Sequence, residues 1–479
     1  MLHRIKILIE KLAPNAWLDV YHKILAKMSS FWYGHPSREL VVIGVTGTNG
    51  KTTTAYLLAK ALGADGSKTG CTSTALFKIA DKEWLNATKM TMLGRFALQK
   101  FLRQIVDAGC KYVVIETSSQ GIIQHRHEQV AYDIGVFTNL TPEHIEAHGG
   151  FENYKQAKIK LFEHIAGLPP KKINGQVVPR AFVLNVDDQY AKDFALKGSQ
   201  AIWYGLGQGA DLKAENIHES ADGVSFVIPA SSVILNVGEE SAEPTNISKE
   251  SDGSLSSALG LHRDDKVEVN LKLLSRVNVY NALATLAVCR VLGVDLKAAA
   301  QKLGEIKNMP GRFERIEQGQ PWMVMVDYAP EPESLKRLYE EVKLLNAKRI
   351  IHVLGSCGGG RDVARRPVLG KLAAQNAAYV IVTNEDPYDD DPMEIIHQVA
   401  EGARQGGKKE GEDLFLILER GQAIQKAMDL AEPGDLVLLT GKGSEQRMCV
   451  AGGKKIPWDD REAAKDAIKQ TIAERAQRA

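Results

Sequence analysis

The chain has 479 residues, with 60 Lys+Arg against 59 Asp+Glu and 44% hydrophobic content. This near-neutral balance gives no electrostatic case for nucleic acid or an anionic membrane as the main partner. Globular composition excludes wholesale disorder, and the length predicts two to four domains of about 100–200 residues each.

No stretch approaches the roughly 18 apolar residues of a membrane span. Lys6, Glu10 and Lys11 interrupt the N-terminal apolar run, unlike the core of a signal peptide. The five cysteines (Cys71, Cys110, Cys289, Cys357, Cys449) are odd in number and far apart, so neither a disulfide framework nor a paired zinc site is expected. These features predict a reducing, cytoplasmic setting.

Residues 1–38 read as one or two short amphipathic helices ending at Gly34-His35-Pro36-Ser37. A β-branched strand then starts at Val41, enters a Gly-rich turn and leads to a helix over 52–62. Further strands are expected at 112–115, 134–138, 181–184, 323–326, 350–354, 379–382 and 436–439, with helical patterns between most of them. That alternation predicts doubly wound parallel sheets. Residues 236–266 are polar and Ser/Glu-rich, the composition of a flexible excursion. A helix over 278–292 leads to a hinge at Pro310-Gly311. The expected division is a short helical segment 1–40, a central domain 41–310 and a second α/β domain 311–479.

Residues 41–54 read VVIGVTGTNGKTTT. Gly47 and Gly50 permit tight turns that present backbone N–H groups to phosphate oxygens. Lys51 can reach terminal phosphates, Thr52 can place its hydroxyl on magnesium, and the following helix adds a positive N-terminal field. Val45 stands where a strict G-x-x-x-x-G-K-T loop has its first glycine. The competing reading is a Gly-rich strand-to-helix turn without a ligand. Glu116 falls at a strand end, where open α/β sheets gather ligands, and a carboxylate there can hold Mg²⁺ directly or through water. Asn278 and Asn281 share one helical face and can pair with the edge of a base. The Gly-rich turn after 350–354 offers backbone donors to an anionic intermediate.

The segment Gly47-Thr48-Asn49-Gly50-Lys51-Thr52-Thr53 resembles the ATP-binding signature of the Mur ligases, ATP-dependent enzymes that join amino acids to the peptidoglycan precursor. Residues 138–148 (TNLTPEHIEAH) resemble the family's T-N-L-x-x-D-H-L-D-x-H, with Glu143 and Glu146 replacing aspartates. Residues 154–162 resemble Y-x-x-A-K-x-x-L-F. The resemblance implies that Glu116 and His144 bind a second magnesium ion and that Lys158 is carbamylated by CO₂ to an anion that bridges the metals. Asn278-Val279-Tyr280-Asn281 resembles the F-N-x-x-N segment bordering adenine, although Ser275 and Val277 depart from it. Gly311-Arg312-Phe313-Glu314 fits G-R-x-E, implying that Arg312 reaches the phosphates as the domains close. Asp327-Tyr328-Ala329 fits D-Y-A-H, implying a ribose contact for Asp327, with Pro330 replacing the histidine.

Residues 355–367 resemble G-x-G-G-x-R-D-x-x-K-R-P. Glu385-Asp386-Pro387-Tyr388 stands at the D-N-P-R motif that grips meso-diaminopimelate, so the arginine is missing. Gly441-Lys442-Gly443-Ser444-Glu445 follows G-K-G-H-E, with Ser444 in place of histidine and Glu445 available to an amino group. These matches, with Ser118, Ser119 and Arg126 implied as acceptor contacts, are most similar to the tripeptide synthetase branch. On the acceptor side Gln120 replaces the histidine of S-S-H, and Thr91-Met92-Leu93 stands at T-T-P. About 40 residues precede the phosphate-loop strand, fewer than a UDP-gripping domain needs.

The implied fold is α/β, a phosphate-loop ATP-binding central domain with a mainly parallel sheet plus a C-terminal Rossmann-like domain. The implied activity is ATP- and Mg²⁺-dependent, ADP-forming amide ligation through an acyl phosphate, adding a basic or diamino acid to UDP-N-acetylmuramoyl-L-Ala-D-Glu. The alternatives are a related ligase with a non-UDP acceptor, or a nucleotide-binding regulatory protein that has lost ligation. Partners are expected to be small molecules acting on a monomer, with recruitment of another partner through residues 1–38 left open.

Overall fold

The structure, a computed structural model, describes residues 15–141, 149–197, 199–233, 266–360 and 362–478. It divides into two compact units. The first holds residues up to 84, 90–218 and 223–306; the second holds 85–89, 219–222 and 307 onward. The expected polar excursion 236–266 lies outside the described residues apart from its last position.

In the first unit the strands are β1 (Val41–Thr46), β2 (Thr69–Thr72), β3 (Leu76–Ile79), β4 (Lys82–Leu85), β5 (Tyr112–Glu116), β6 (Ile134–Phe137), β7 (Ala181–Asn185), β8 (Gln200–Gly205) and β9 (Leu212–Lys213). They form one sheet in the order β9-β8-β7-β6-β1-β5-β2-β3-β4. Pairing is parallel from β9 to β2, and β3 turns back antiparallel to β2. All six residues of β1 are buried, as a central parallel strand covered on both faces requires.

Helices that accompany the sheet include α1 (Asn15–Trp32), α2 (Lys51–Ala61), α3 (Arg95–Asp107), α4 (Ser119–Ile123), α5 (Phe151–Gly167) and α6 (Val277–Val291). Phe137 and Phe194 stack with centroids 4.0 Å apart, and Phe162 sets its edge against Phe182 and Phe194. This aromatic cluster fixes α5 against the sheet. On the other side α6 packs on α2, so the helix that follows the Gly-rich loop is held from behind.

The second unit places β10 (Glu314–Arg315), β11 (Met323–Val326), β12 (Ile350–Leu354), β13 (Tyr379–Thr383), β14 (Leu414–Ile417) and β15 (Leu436–Leu439) in the order β10-β11-β15-β12-β13-β14. All pairs are parallel except the β10 edge. Its interior contains an ion pair, Arg420 to Asp460 at 2.7 and 2.6 Å, both side chains fully enclosed. Arg420 also donates to the carbonyls of Asn384 and Thr440, satisfying the rest of the guanidinium.

The strands expected from sequence are present, with small shifts at their ends. The strand expected to reach residue 138 stops at Phe137, one residue short, although Thr138 N–H still donates to Thr46 O and its hydroxyl to Asn49 O. The sheets are mainly parallel, as expected, with antiparallel excursions at β3 and β10; the short β2–β4 meander was not foreseen.

Candidate active site

The loop 47–50 joins the C-terminal end of β1 to the N-terminus of α2, with the sheet neighbours β5 and β6 on either side of β1. Gly47 has φ +146°, and a Cβ there would lie 2.0 Å from Thr138 Oγ1. Gly50 caps α2 at φ +80°, and a Cβ would meet Asn281 Oδ1 at 2.6 Å. Both positions therefore require glycine for conformation and for space. The loop is further pinned by Asn139: Thr48 N–H donates to its carbonyl (2.8 Å) and Asn49 N–H to its Oδ1 (2.9 Å). Lys51 opens α2 and folds its ammonium back onto Thr48 O at 2.6 Å.

Thr53 is buried in the first turn of α2. Its neighbour Thr52 donates from Oγ1 to the Glu116 carboxylate, 3.0 Å from each oxygen. Glu116 is itself buried, and it accepts from Thr74 N (2.6 Å) and Thr74 Oγ1 (3.1 Å). Thr52 thus spends its proton on Glu116 and keeps lone pairs for a cation. These hard oxygen donors fit Mg²⁺. His144, expected beside them, lies outside the described residues with the rest of 142–148. Among the described residues no cluster of three His, Cys, Asp or Glu could hold a metal ion.

Lys158 projects from α5 to the same loop. It is 1% exposed, donates to Gly47 O at 2.6 Å and lies 4.3 Å over the Tyr154 ring, whose hydroxyl meets Thr48 Oγ1. It is therefore not a solvated lysine on a basic helix face. Asn278 and Asn281 do share a helical face, but they bond to each other (2.9 Å), and Asn281 Oδ1 accepts from Thr54. Asn281 is a brace between α6 and the phosphate-loop helix.

The expected acceptor contacts differ in kind. Ser118 caps α4, accepting from Gly121 N, and Ser119 is buried in that helix. Arg126 bonds to Met92 O and Gln124. The sequence reading missed Arg95, which bonds to Gln124 O from the start of α3. Burial lowers the pKa of both guanidiniums, and for Arg126 the charge of Arg95 adds to that effect. Each leaves its Nε buried without a hydrogen-bond partner. A pair of half-buried cations with open donors suits an anionic group.

In the second unit, Arg312 stacks 4.6 Å over Tyr328, and Asp327 accepts from Phe313 N (2.7 Å) and Ala329 N (2.9 Å). Burial raises the Asp327 pKa, with Arg312 opposing it. The Gly-rich turn is held by Gly358 N to Asp386 O (2.8 Å) and Gly359 N to Asp390 Oδ2 (3.1 Å). Beside it, Gly441 at φ +102° leaves the space that Glu385 fills: a Cβ would lie 2.2 Å from Glu385 Oε2. Burial raises the Glu385 pKa, and Cys357 Sγ donates to its carboxylate at 2.9 Å.

Asp386 and Glu445 converge on two ammonium groups. Lys442, completely enclosed, donates to Asp386 Oδ1 (3.0 Å), Glu445 Oε2 (2.8 Å) and Arg447 O (2.8 Å). Lys89, from the 85–89 segment of the same unit, lies 2.5 Å from Asp386 Oδ2 and 2.9 Å from Glu445 Oε2. Burial works against the Lys89 charge, but Glu445 and Asp386 together raise its pKa. For Asp386 burial is outweighed by Lys442 and Lys89, which lower its pKa. Sequence reading did not find Lys89, whose backbone sits at a positive φ of 57°.

A strand, a strained Gly-rich loop, a lysine at a helix start and a buried Thr–Glu pair define an α/β nucleotide-binding enzyme built for phosphoryl chemistry. The sequence comparisons narrow the class. Residues 45–289 match the Mur ligase middle domain and 311–443 the Mur ligase, glutamate ligase domain. The chain is 36% identical over 453 residues to a UDP-N-acetylmuramyl-tripeptide synthetase of Roseiflexus sp. (strain RS-1), covering 93% of this chain and 81% of that one. It is 33% identical to the UDP-N-acetylmuramoyl-L-alanyl-D-glutamate–2,6-diaminopimelate ligase of Solibacter usitatus, covering 97% and 86%. A solved structure of a ligase with that same name superposes with TM-score 0.56 at 26% identity, covering 90% of this chain and 79% of that one. The chain belongs to the Mur ligase family, whose members are ATP-dependent, ADP-forming amide ligases.

Proposed function

We propose that the protein adds a basic or diamino acid to the free carboxylate of UDP-N-acetylmuramoyl-L-Ala-D-Glu. The observation that carries this reading is the Asp386–Glu445 pair, which holds the Lys89 ammonium in the unit that matches the family's amino-acid-adding domain. Two carboxylates that gather ammonium groups, here those of Lys89 and Lys442, suit an amino group of the incoming substrate. The name of the Solibacter relative favours the same acceptor and a diamino acid, and that of the Roseiflexus relative a UDP-muramyl tripeptide product.

In this reading the N–H groups of 47–50, with Lys51, receive the ATP phosphates. Asn278 and Asn281, bonded to each other, present their helix face to the base, and the family resemblance gives Arg312 a phosphate role and Asp327 a ribose role. The acceptor carboxylate attacks the γ-phosphorus, ADP leaves, and an acyl phosphate forms. The incoming amine attacks the acyl carbon and gives up a proton. The tetrahedral intermediate then collapses with loss of phosphate. Thr52 and Glu116 would hold a Mg²⁺ ion, and His144 with carbamylated Lys158 would hold a second; such ions would supply charge neutralisation for the transferred phosphoryl group. Arg126, with Arg95, takes an acidic group of the acceptor, beside Ser118 and Ser119. All five cysteines are free thiols, which supports a reducing, cytoplasmic setting.

The test is phosphate release from ATP and Mg²⁺ with UDP-muramyl dipeptide, screened across lysine, diaminopimelate, ornithine and the other amino acids. Release that requires the dipeptide and one diamino acid is expected. Release stimulated equally by neutral amino acids would refute the role given to Asp386 and Glu445, and release indifferent to the dipeptide would refute the acceptor.

A further inference from the structure

Helix α1 packs on α3 through a narrow face. Ala26, Ser29 and Ser30 are buried, and Arg103 of α3 donates to the carbonyls of Tyr33 and Gly34 just beyond the helix. The opposite face is open. Trp17 is 76% exposed, Phe31 and Trp32 are each 78% exposed, and Val20, Tyr21, Ile24 and Met28 are all more than half exposed. At about 100° per residue these seven side chains occupy one arc of about 120°, centred opposite Ala26. The four aromatic rings alone leave on the order of 600 Å² open, taking 150–250 Å² per ring. That equals or exceeds the largest apolar patch of an ordinary soluble monomer.

The charge of the N-terminal sequence is not that of the whole chain, and within the described part Lys23, Lys27 and Arg38 stand against Asp19. Residues 1–38 carry six Lys/Arg (Arg4, Lys6, Lys11, Lys23, Lys27, Arg38) against Glu10 and Asp19, leaving 54 against 57 for the remainder. Overall neutrality therefore conceals a basic N-terminal segment. Lys27 is exposed and falls just beside the apolar arc. Tyr21 and Trp32 lie towards one margin of the stripe, Trp17 at its centre and Lys27 beyond the other margin, and Trp, Tyr and Lys are side chains that settle at the boundary between lipid headgroups and acyl chains. No described helix is long and apolar enough to cross a membrane, so such a helix would lie in the interface rather than span it.

We propose that α1 docks the enzyme on the surface of an anionic lipid bilayer. A second copy of this chain is the competing occupant. It would bring two basic segments together, whereas anionic headgroups neutralise them, and charge complementarity therefore favours the bilayer.

The test is flotation of the full chain with phosphatidylcholine vesicles and with equimolar phosphatidylcholine–phosphatidylglycerol vesicles, with tryptophan emission followed in parallel. The protein is expected to float with the anionic vesicles, lose that binding in molar salt and shift its emission to the blue. Lys23→Gln and Lys27→Gln are each expected to lower the partition coefficient about fivefold. Phe31→Ser/Trp32→Ser is expected to abolish flotation while leaving phosphate release from ATP unchanged, which also reports that the variant is folded. A wild-type chain that stays off anionic vesicles would overturn the proposal. So would a Phe31→Ser/Trp32→Ser protein that floats as well as wild type, or a wild-type dimer in sedimentation that Phe31→Ser/Trp32→Ser dissociates.

Discussion

Lys442 offers the sharpest test of how the second unit is held together. Its ammonium has no contact with solvent and serves three acceptors, Asp386, Glu445 and the Arg447 carbonyl, all within 3.0 Å. Lys442→Met keeps the length and apolar stem of the side chain but removes the cation. Two carboxylates are then left to share Lys89, and one carbonyl loses its donor. Breaking a buried pair by deleting one partner costs about 3–5 kcal/mol, because the surviving charge stays desolvated. Lys89 remains as a counter-ion, so the lower end of that range is expected. With a urea m-value of about 2–3 kcal/mol/M, the unfolding midpoint should fall by about 1 M. The fluorescence of buried Trp322, in the core of the same unit, reports it. Lys442→Met/Asp386→Asn should recover most of the loss, since a neutral amide needs no cation, giving strong coupling in the double-mutant cycle. A midpoint shift within error, or strictly additive effects, would refute the account of this cluster.

Other consequences are equally direct. Gly47→Ala places a methyl group on Thr138 Oγ1 at a left-handed φ, so calorimetric titration should show at least about a tenfold loss of ATP affinity, a cost of about 1.4 kcal/mol or more. Thr52→Val preserves shape but withdraws the hydroxyl that Glu116 anchors; kcat should fall at saturating ATP, and the apparent requirement for Mg²⁺ should rise. Lys158→Met should abolish turnover with little change in ATP binding, and activity partly restored by bicarbonate in the wild type but not in the variant would support the carbamate. Acid should destabilise the fold through His127 and His352, whose pKa values are pushed down from 6.5 to about 3, mainly by burial. Unfolded histidines take up protons from pH 6.5 downward while the folded ones do not. Stability should therefore fall by up to about 1.4 kcal/mol per pH unit per histidine between pH 6.5 and 3, read as a thermal midpoint that drops steeply over that window.

Much of the site was legible because its signals are local. The Gly47–Thr53 loop is a contiguous string whose residues must be glycine, lysine and threonine for reasons of backbone and charge. The strands announce themselves as β-branched runs with both faces buried. Glu116 falls at a strand end in sequence and in space. The sequence by itself determined the α/β class, the nucleotide loop and the family.

What it left undecided depends on groups distant in the chain. Lys158 reads as one of three lysines on a basic helix, and only the packing of α5 carries it to Gly47 O, 111 residues away. Lys89 and Asp386 are 297 residues apart, and no local pattern marks an ammonium that a remote acid pair will neutralise. Arg95 likewise joins Arg126 only because α3 and the turn after α4 meet. The exposed stripe of α1 shows the converse. An apolar period of 3.6 predicts a buried face, yet the tertiary structure covers the opposite, small-residue side. Periodicity fixes which side chains share a face; only the neighbours available to cover it decide which face is left to meet a partner.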